Sequence, residues 1–249
     1  MSVGYDHVDV AECKRRGVAV GFTPDVLTDS TADIALSLIL CASRRVPEAL
    51  ASVRDGTWGE WTPMWMCGKG LQGATVGVVG MGRIGEAVSQ RLRAFRVGSL
   101  LYSGPSEKPA AAGRLGAEYV GFDDLLARSD FVVVTASLND ATRGVFNRTA
   151  FSKMKKDAVF VNVSRGGLVQ QDDLIEALDR GVIGAAGLDV TTPEPLPTTS
   201  RLLALKNCVV FPHIGSATVE TREAMGRLAV ENVVAAVLGR SMPHRVPGT

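Results

Sequence analysis

Arg165, Glu194 and His213 supply a cation, a carboxylate and an imidazole, 29 residues from the first to the second and 19 from the second to the third. A guanidinium grips a carboxylate through two parallel hydrogen bonds and polarises a neighbouring carbonyl. An imidazole hands a proton to that carbonyl oxygen as a hydride reaches the carbon. A carboxylate on the other ring nitrogen fixes the tautomer and favours the charged ring. The set suits reduction of a 2-oxo acid. Taken singly, the three are also readable as a solvated loop cation, a loop carboxylate and a hydrogen-bonded core histidine. What ties them together is their recurrence at the ends of successive apolar runs. "NVSRGGLV" delivers Arg165, "LDVTTPEPLP" delivers Asp189 and then Glu194, and "VFPHIGSAT" delivers His213. His7 and His244 lie near the termini and are read as surface residues.

These residues need a scaffold, and from Ala74 onward the chain alternates strand and helix. "ATVGVVG", "GSLLYSG", "DFVVVTAS", "AVFVNVS", "GAAGLDV" and "NCVVFPH" read as six strands, separated by helical stretches such as "GEAVSQRLRAF", "FDDLLARS", "TAFSKMK" and "QDDLIEALDRG". The strands are continuous and Val-rich, as strands buried on both faces of a parallel sheet are. The expected fold is therefore α/β, a doubly wound parallel sheet. Ligands bind such sheets at the carboxyl ends of the strands. Upstream, Val18–Val20 reads as a short strand. "TDSTADIALSLILCASRRVPEALASVRDG" reads as a helix that Pro47 kinks or divides. Trp58, Trp61 and Trp65 crowd one Gly/Pro-punctuated loop, and a loop this apolar needs a surface to cover. A last helix spans about Thr218 to Leu238, apolar at Met225, Leu228, Val233, Val234 and Val237.

"VGVVGMGRIGEA" sets Gly80, Gly82 and Gly85 directly after a strand and at the start of a helix. Gly80 allows the tight turn, Gly82 lets backbone approach a pyrophosphate, and Gly85 lets helix and strand pack closely. The helix dipole and its free N–H groups then meet the phosphates. This predicts a Rossmann-type dinucleotide site. At the end of the second strand an NAD site usually carries an acid for the ribose 2′-hydroxyl. This chain has Tyr102-Ser103-Gly104 there, with Ser103, Ser106 and Lys108 able to bind a 2′-phosphate. Glu107 and the missing arginine argue the other way. NADP(H) is the favoured cofactor and NAD(H) the alternative.

The balance of 27 basic against 26 acidic residues, net +1, gives no reason to propose nucleic acid or an anionic membrane as partner. No apolar run is long enough to span a bilayer, and no secretory leader pattern is present. Cys13, Cys41, Cys67 and Cys208 are scattered, which suits reduced thiols of a cytoplasmic protein and no metal site.

"VGVVGMGRIG", "VNVSRGGLV", "AAGLDVTTPEPLP" and "VVFPHIGSAT" resemble the signatures of the D-isomer-specific 2-hydroxyacid dehydrogenases. "MSVGYDHVD" and "TWGEWTPMWMCGKGL" are most similar to the branch comprising the glyoxylate/hydroxypyruvate reductases of animals. The resemblance implies NADPH-dependent reduction of glyoxylate and hydroxypyruvate to glycolate and D-glycerate. It assigns Arg165 to the substrate carboxylate, Glu194 to tuning the histidine, and His213 to proton donation. It puts Gly82, Arg83 and Ile84 on the pyrophosphate and Pro105, Ser106, Glu107 and Lys108 by the adenosine ribose. Ser137 and Val163 would lie along the cofactor, Asp189 near the nicotinamide amide, and Ile214, Gly215 and Ser216 beside substrate and nicotinamide. Val3 and Gly4 would offer backbone N–H groups to the substrate. The Trp-rich stretch, about 56–73, resembles a dimer arm placing Trp61 at a partner's active site, so a homodimer is expected.

The same resemblance divides the chain into residues 1–23, a remnant of a second, flavodoxin-like substrate domain; 24–212, the dinucleotide-binding domain; and 213–249, the active-site loop and a returning C-terminal helix. Family members carry most of a lid domain ahead of Met1. If the chain as given is the full length, water exclusion fails without that lid, so cofactor binding is expected to be retained and turnover to be weak or absent. Reduction of a different 2-oxo acid and dinucleotide binding of the corepressor type, with little catalysis, stand as the alternatives.

Overall fold

The computed structural model describes residues 1–249 and resolves them into two compact units, 32–215 and 1–31 with 216–249. In the larger unit seven parallel strands form one sheet: β1 (Thr75–Val79), β2 (Ser99–Ser103), β3 (Ala117–Tyr119), β4 (Phe131–Val134), β5 (Val159–Asn162), β6 (Ala185–Leu188) and β7 (Cys208–Val210), in the order β3-β2-β1-β4-β5-β6-β7. The order reverses between β1 and β4, which opens a crevice at their carboxyl ends. Alternate residues of each strand serve opposite faces. Val132, Val134 and Phe160 join one core with Leu125, Phe151 and Leu174, while Phe131, Val133 and Val161 join another with Leu38, Val88 and Leu92.

The helices that cover those faces follow local signals. α4 (Arg83–Ala94) starts at Gly82 and buries Ala87, Val88 and Leu92. α6 (Phe122–Arg128) buries Leu125 and Leu126, and carries Asp123 and Asp124 in its first turn and Arg128 in its last, as the helix dipole favours. α7 (Arg148–Lys153) is capped by the Asn147 side chain on the Ala150 N–H, and α8 (Gln171–Asp179) buries Leu174, Ile175, Ala177 and Leu178.

Pro47 divides the early helical stretch. α2 (Thr28–Ser43) ends before Arg45, which takes φ 55°, and α3 (Val46–Arg54) begins with the proline in its first turn, where no N–H is needed. One strand escapes the sequence pattern. β3 is three residues long and mostly exposed, and α5 (Pro109–Leu115) leads into it. A short, polar edge strand of this kind protects a sheet margin and leaves no apolar signature.

The smaller unit corrects two expectations. Val18–Val20 form no strand; the only pairing there is an isolated antiparallel bridge between Gly21 and Arg245. His244 is half-buried, edge-on to Phe22, and its N–H donates to Asn232. Asn232, 2% exposed on α9 (Val219–Val237), also donates to the Phe22 carbonyl. α1 (Val10–Arg15) is capped by Asp9 on the Glu12 N–H. The Glu12 carboxyl is held below its usual range by hydrogen bonds from Arg15 and Arg16. On α9 Met225 is buried, whereas Val233, Val234 and Val237 are exposed.

Candidate active site

Gly80 closes the turn after β1 with φ 100°, and a Cβ there would sit 2.6 Å from Ala136 in the loop after β4. Only glycine fits both the conformation and the approach. A Cβ on Gly85 would meet the Gly80 carbonyl at 2.3 Å, so the first turn of α4 lies directly against the strand end. A Cβ on Gly82 would meet nothing within 4 Å. No side-chain hydrogen bond caps the start of α4, which follows the turn at the carboxyl end of β1. Thr135 braces the turn by donating from Oγ1 to the Gly80 carbonyl at 2.6 Å. An uncapped helix start behind a glycine turn is a fitting cradle for a dinucleotide pyrophosphate. Arg83 is exposed and Ile84 half-buried at its rim, Ser137 is exposed beyond β4, and Val163 is buried just past β5.

Arg165 stands on a turn built by Asn162, the last residue of β5. The buried Asn162 amide donates to the Arg165 carbonyl at 2.9 Å, and its oxygen accepts the Ser164 N–H at 3.0 Å. Gly166 follows, and a Cβ there would overlap the Thr191 carbonyl at 2.0 Å, so the Arg165 turn sits hard against the loop after β6. The Arg165 guanidinium donates to the Ser164 carbonyl at 2.8 Å.

Glu194 and His213 meet. Glu194 Oε1 accepts the Thr191 N–H at 2.9 Å, and Oε2 lies 2.8 Å from His213 Nδ1. The carboxylate is thus tied to its own loop before it reaches the ring. That pairing leaves Nε2 as the outward nitrogen of the imidazole. His213 itself takes φ 54°, a conformation uncommon outside glycine and costly unless its surroundings enforce it.

Asp189 enforces it. This carboxylate, 2% exposed at the end of β6, accepts the Ile214 N–H on Oδ1 and the Gly215 N–H on Oδ2, both at 2.8 Å, while its carbonyl accepts the His213 N–H at 2.9 Å. Burial pushes its pKa up, against the pull of those two N–H donors. The structure thus gives Asp189 a positioning part beyond the cofactor contact expected for it. Sequence patterns do not single out Asn162 and Thr191. An asparagine inside a Val-rich strand is the one available sign of the first, and a backbone N–H donor leaves no sign at all.

Ser103 is buried at the end of β2, its carbonyl accepting the Gly80 N–H at 2.8 Å, and Pro105, Ser106, Glu107 and Lys108 form an exposed loop beside it. Trp61 is 81% exposed on the loop after α3. Val3, Gly4 and Ser216 belong to the smaller unit. No helix is long and apolar enough to cross a membrane.

The model of the D-isomer specific 2-hydroxyacid dehydrogenase NAD binding domain matches residues 36–215. The human glyoxylate reductase/hydroxypyruvate reductase is 54% identical over 246 residues, covering 99% of this chain and 75% of its own length. A crystal structure of a Thermus thermophilus protein superimposes with a TM-score of 0.92 at 45% identity, over 98% of this chain and 76% of its own. The NADPH-dependent glyoxylate/hydroxypyruvate reductase of Sinorhizobium meliloti, in complex with NADP and malonate, gives a TM-score of 0.90 at 35% identity, over 100% and 76%.

Proposed function

The chain belongs to the D-isomer specific 2-hydroxyacid dehydrogenase family, and from that premise we propose that it reduces glyoxylate and hydroxypyruvate to glycolate and D-glycerate with NADPH. The observation that carries this reading is the 2.8 Å pairing of Glu194 Oε2 with His213 Nδ1 at the carboxyl edge of the sheet. It commits one ring nitrogen to the carboxylate and gives the other to the substrate oxygen. Arg165 holds the substrate carboxylate and polarises the adjacent carbonyl. A dinucleotide held at the Gly80–Gly85 turn would supply the hydride for the carbonyl carbon. The His213 ring gives its Nε2 proton to the carbonyl oxygen, so a hydroxyl forms and the neutral imidazole remains. Glu194 holds the ring by its Nδ1, and Asp189 keeps the His213 backbone in place. The similarity to relatives that are reductases supports an enzyme and not a binding-only protein.

NADPH is preferred in this reading because the end of β2 carries no carboxylate, with the exposed Ser106 and Lys108 available to a 2′-phosphate beside the buried Ser103. A second copy of the chain covers the apolar arm, a reading supported by the exposure of Trp58, Trp61, Met64 and Trp65. Four free thiols agree with a cytoplasmic location.

The test is incubation of the purified protein with NADPH and each acid, with chromatographic identification of the product. One equivalent of D-glycerate or glycolate per NADPH consumed is expected. No consumption with either acid overturns the reading.

A further inference from the structure

The exposed loop between β2 and α5, residues 104–108, is held at both ends by tyrosine hydroxyls. β2 and β3 pair in parallel with Tyr102 opposite Tyr119. Because the two are in register, their side chains leave the sheet on the same face. The rings lie 5.2 Å apart at an interplanar angle of 49°. The Tyr119 hydroxyl donates to the Gly104 carbonyl at 2.9 Å, at the start of the loop. The Lys108 N–H donates to the Tyr102 hydroxyl, also at 2.9 Å, at its end. The Tyr102 ring is fully buried, so the second anchor is rooted in the core, while Tyr119 is 39% exposed and closes over the first. The strand end beneath is tied to the glycine turn by the Gly80 N–H on the Ser103 carbonyl at 2.8 Å.

Nothing else about this loop would be expected to hold it still. Pro105, Ser106, Glu107 and Lys108 are all exposed, and none belongs to a hydrophobic cluster. A five-residue loop free to move would have to be ordered whenever a ligand used it, and that cost is subtracted from affinity. We propose that Tyr102 and Tyr119 are positioning residues that preform the 104–108 loop for the 2′-phosphate of NADPH, and so set cofactor preference without touching the cofactor. This rests on the NADPH reading above.

The physical reason for selectivity is the kind of contact each cofactor makes. A phosphate dianion is held by charge-assisted hydrogen bonds from fixed donors, which lose most when the donors move. A ribose hydroxyl at the same place makes one weaker bond and loses less. Removing one hydroxyl from the clamp should therefore weaken NADPH and leave NADH nearly as it was.

The experiment uses Tyr102→Phe and Tyr119→Phe, which keep both rings and delete one hydroxyl each. Dissociation constants for NADPH and NADH are measured by fluorescence titration, and kcat is measured at saturating NADPH with hydroxypyruvate. The expected result is a rise of about fivefold in the NADPH dissociation constant for each variant, with NADH changed less than about twofold and kcat unchanged. If the unmodified protein prefers NADPH and neither variant weakens NADPH relative to NADH, the clamp is overturned and the cofactor reading stands. If the unmodified protein binds NADH as tightly as NADPH, the cofactor reading falls and the clamp falls with it.

Discussion

At the amino edge of the sheet, Asp130 accepts from the Thr75 N–H at 2.8 Å, from Lys155 at 3.0 Å and from Lys69 at 3.2 Å, and Lys69 reaches Asp157 at 2.8 Å. At the carboxyl edge, Glu194 commits one oxygen to the Thr191 N–H and the other to His213, whose second nitrogen is turned outward. The first cluster closes on itself, each acid answered by lysines and backbone. The second is fastened on one side only. Charge that is fully answered within the protein serves the fold; charge fastened on one side and offered on the other serves a ligand. The glycine turn obeys the same distinction, since α4 is one of the helices whose start no side chain caps.

The comparison can be broken most sharply at His213. His213→Asn keeps a residue that tolerates the positive φ but cannot donate a titratable proton, and should lower kcat/KM by a factor of about 10²–10⁴ with little change in melting temperature. A large loss of stability with activity retained would place the histidine among the structural charges.

Asp189 belongs to both categories, and its substitution should show both effects. Asp189→Ala leaves the Ile214 and Gly215 N–H groups without their carboxylate, at a cost of about 1–3 kcal/mol in stability, and releases the His213 backbone, so kcat falls too. Its titration has a definite sign. Burial raises the pKa of the folded carboxyl, so the folded chain holds this proton more tightly than the unfolded chain does. The stability that comes from protonation is present below about pH 3.9 and is lost as pH rises through the folded value. Asp189→Asn, which does not titrate, should therefore gain on the wild type in denaturant unfolding as pH climbs from about 4.

The amino edge should respond in the opposite direction. Burial opposes ionisation of Asp130, but the Thr75 N–H, Lys155 and Lys69 outweigh it and hold the carboxyl below its ordinary value. The hydrogen bond from Lys69 does the same for Asp157. Stability from such groups is complete above their unfolded pKa values and is lost as pH falls through the folded ones. Lys69→Met should cost about 1–2 kcal/mol at neutral pH, a difference that closes below about pH 4 and leaves kcat unaltered. A variant equally unstable at all pH values would mean that Lys69 acts by packing over Phe131, 5.8 Å from the ring centre, and not by charge.

The smallest effect concerns the thiols. Burial pushes the Cys208 thiol up to about 12, and that of Cys41 upward, whereas Cys67 is exposed on the tryptophan loop. A thiol-specific reagent at neutral pH should modify Cys67 first and Cys208 only on unfolding. Fast labelling of Cys208 in the native protein would show that the β7 margin opens.

Much of this architecture is legible in the sequence because burial on both faces writes long apolar strands, and because glycines cluster where backbone must approach backbone. Arg165, Glu194 and His213 are legible because each follows such a strand. The remainder escapes for physical reasons. β3 is short, exposed and polar, so it carries no period. Val18–Val20 has β-branched residues but no neighbouring strand to pair with, and propensity without partners makes no strand. His244 reads as a terminal surface residue, but tertiary contacts with Phe22 and Asn232 bury half of it. The anchoring of His213 by Asp189 joins a carboxylate to backbone N–H groups 25 and 26 residues away, a relation that exists only once β6 and β7 lie side by side.

The central claim is that the histidine fastened by Glu194 moves the proton in a carbonyl reduction at the carboxyl edge. Its most direct test is the rate of NADPH oxidation at saturating hydroxypyruvate, wild type against His213→Ala. The account predicts a fall of at least about 100-fold with NADPH affinity retained. Equal rates in the two proteins would contradict it.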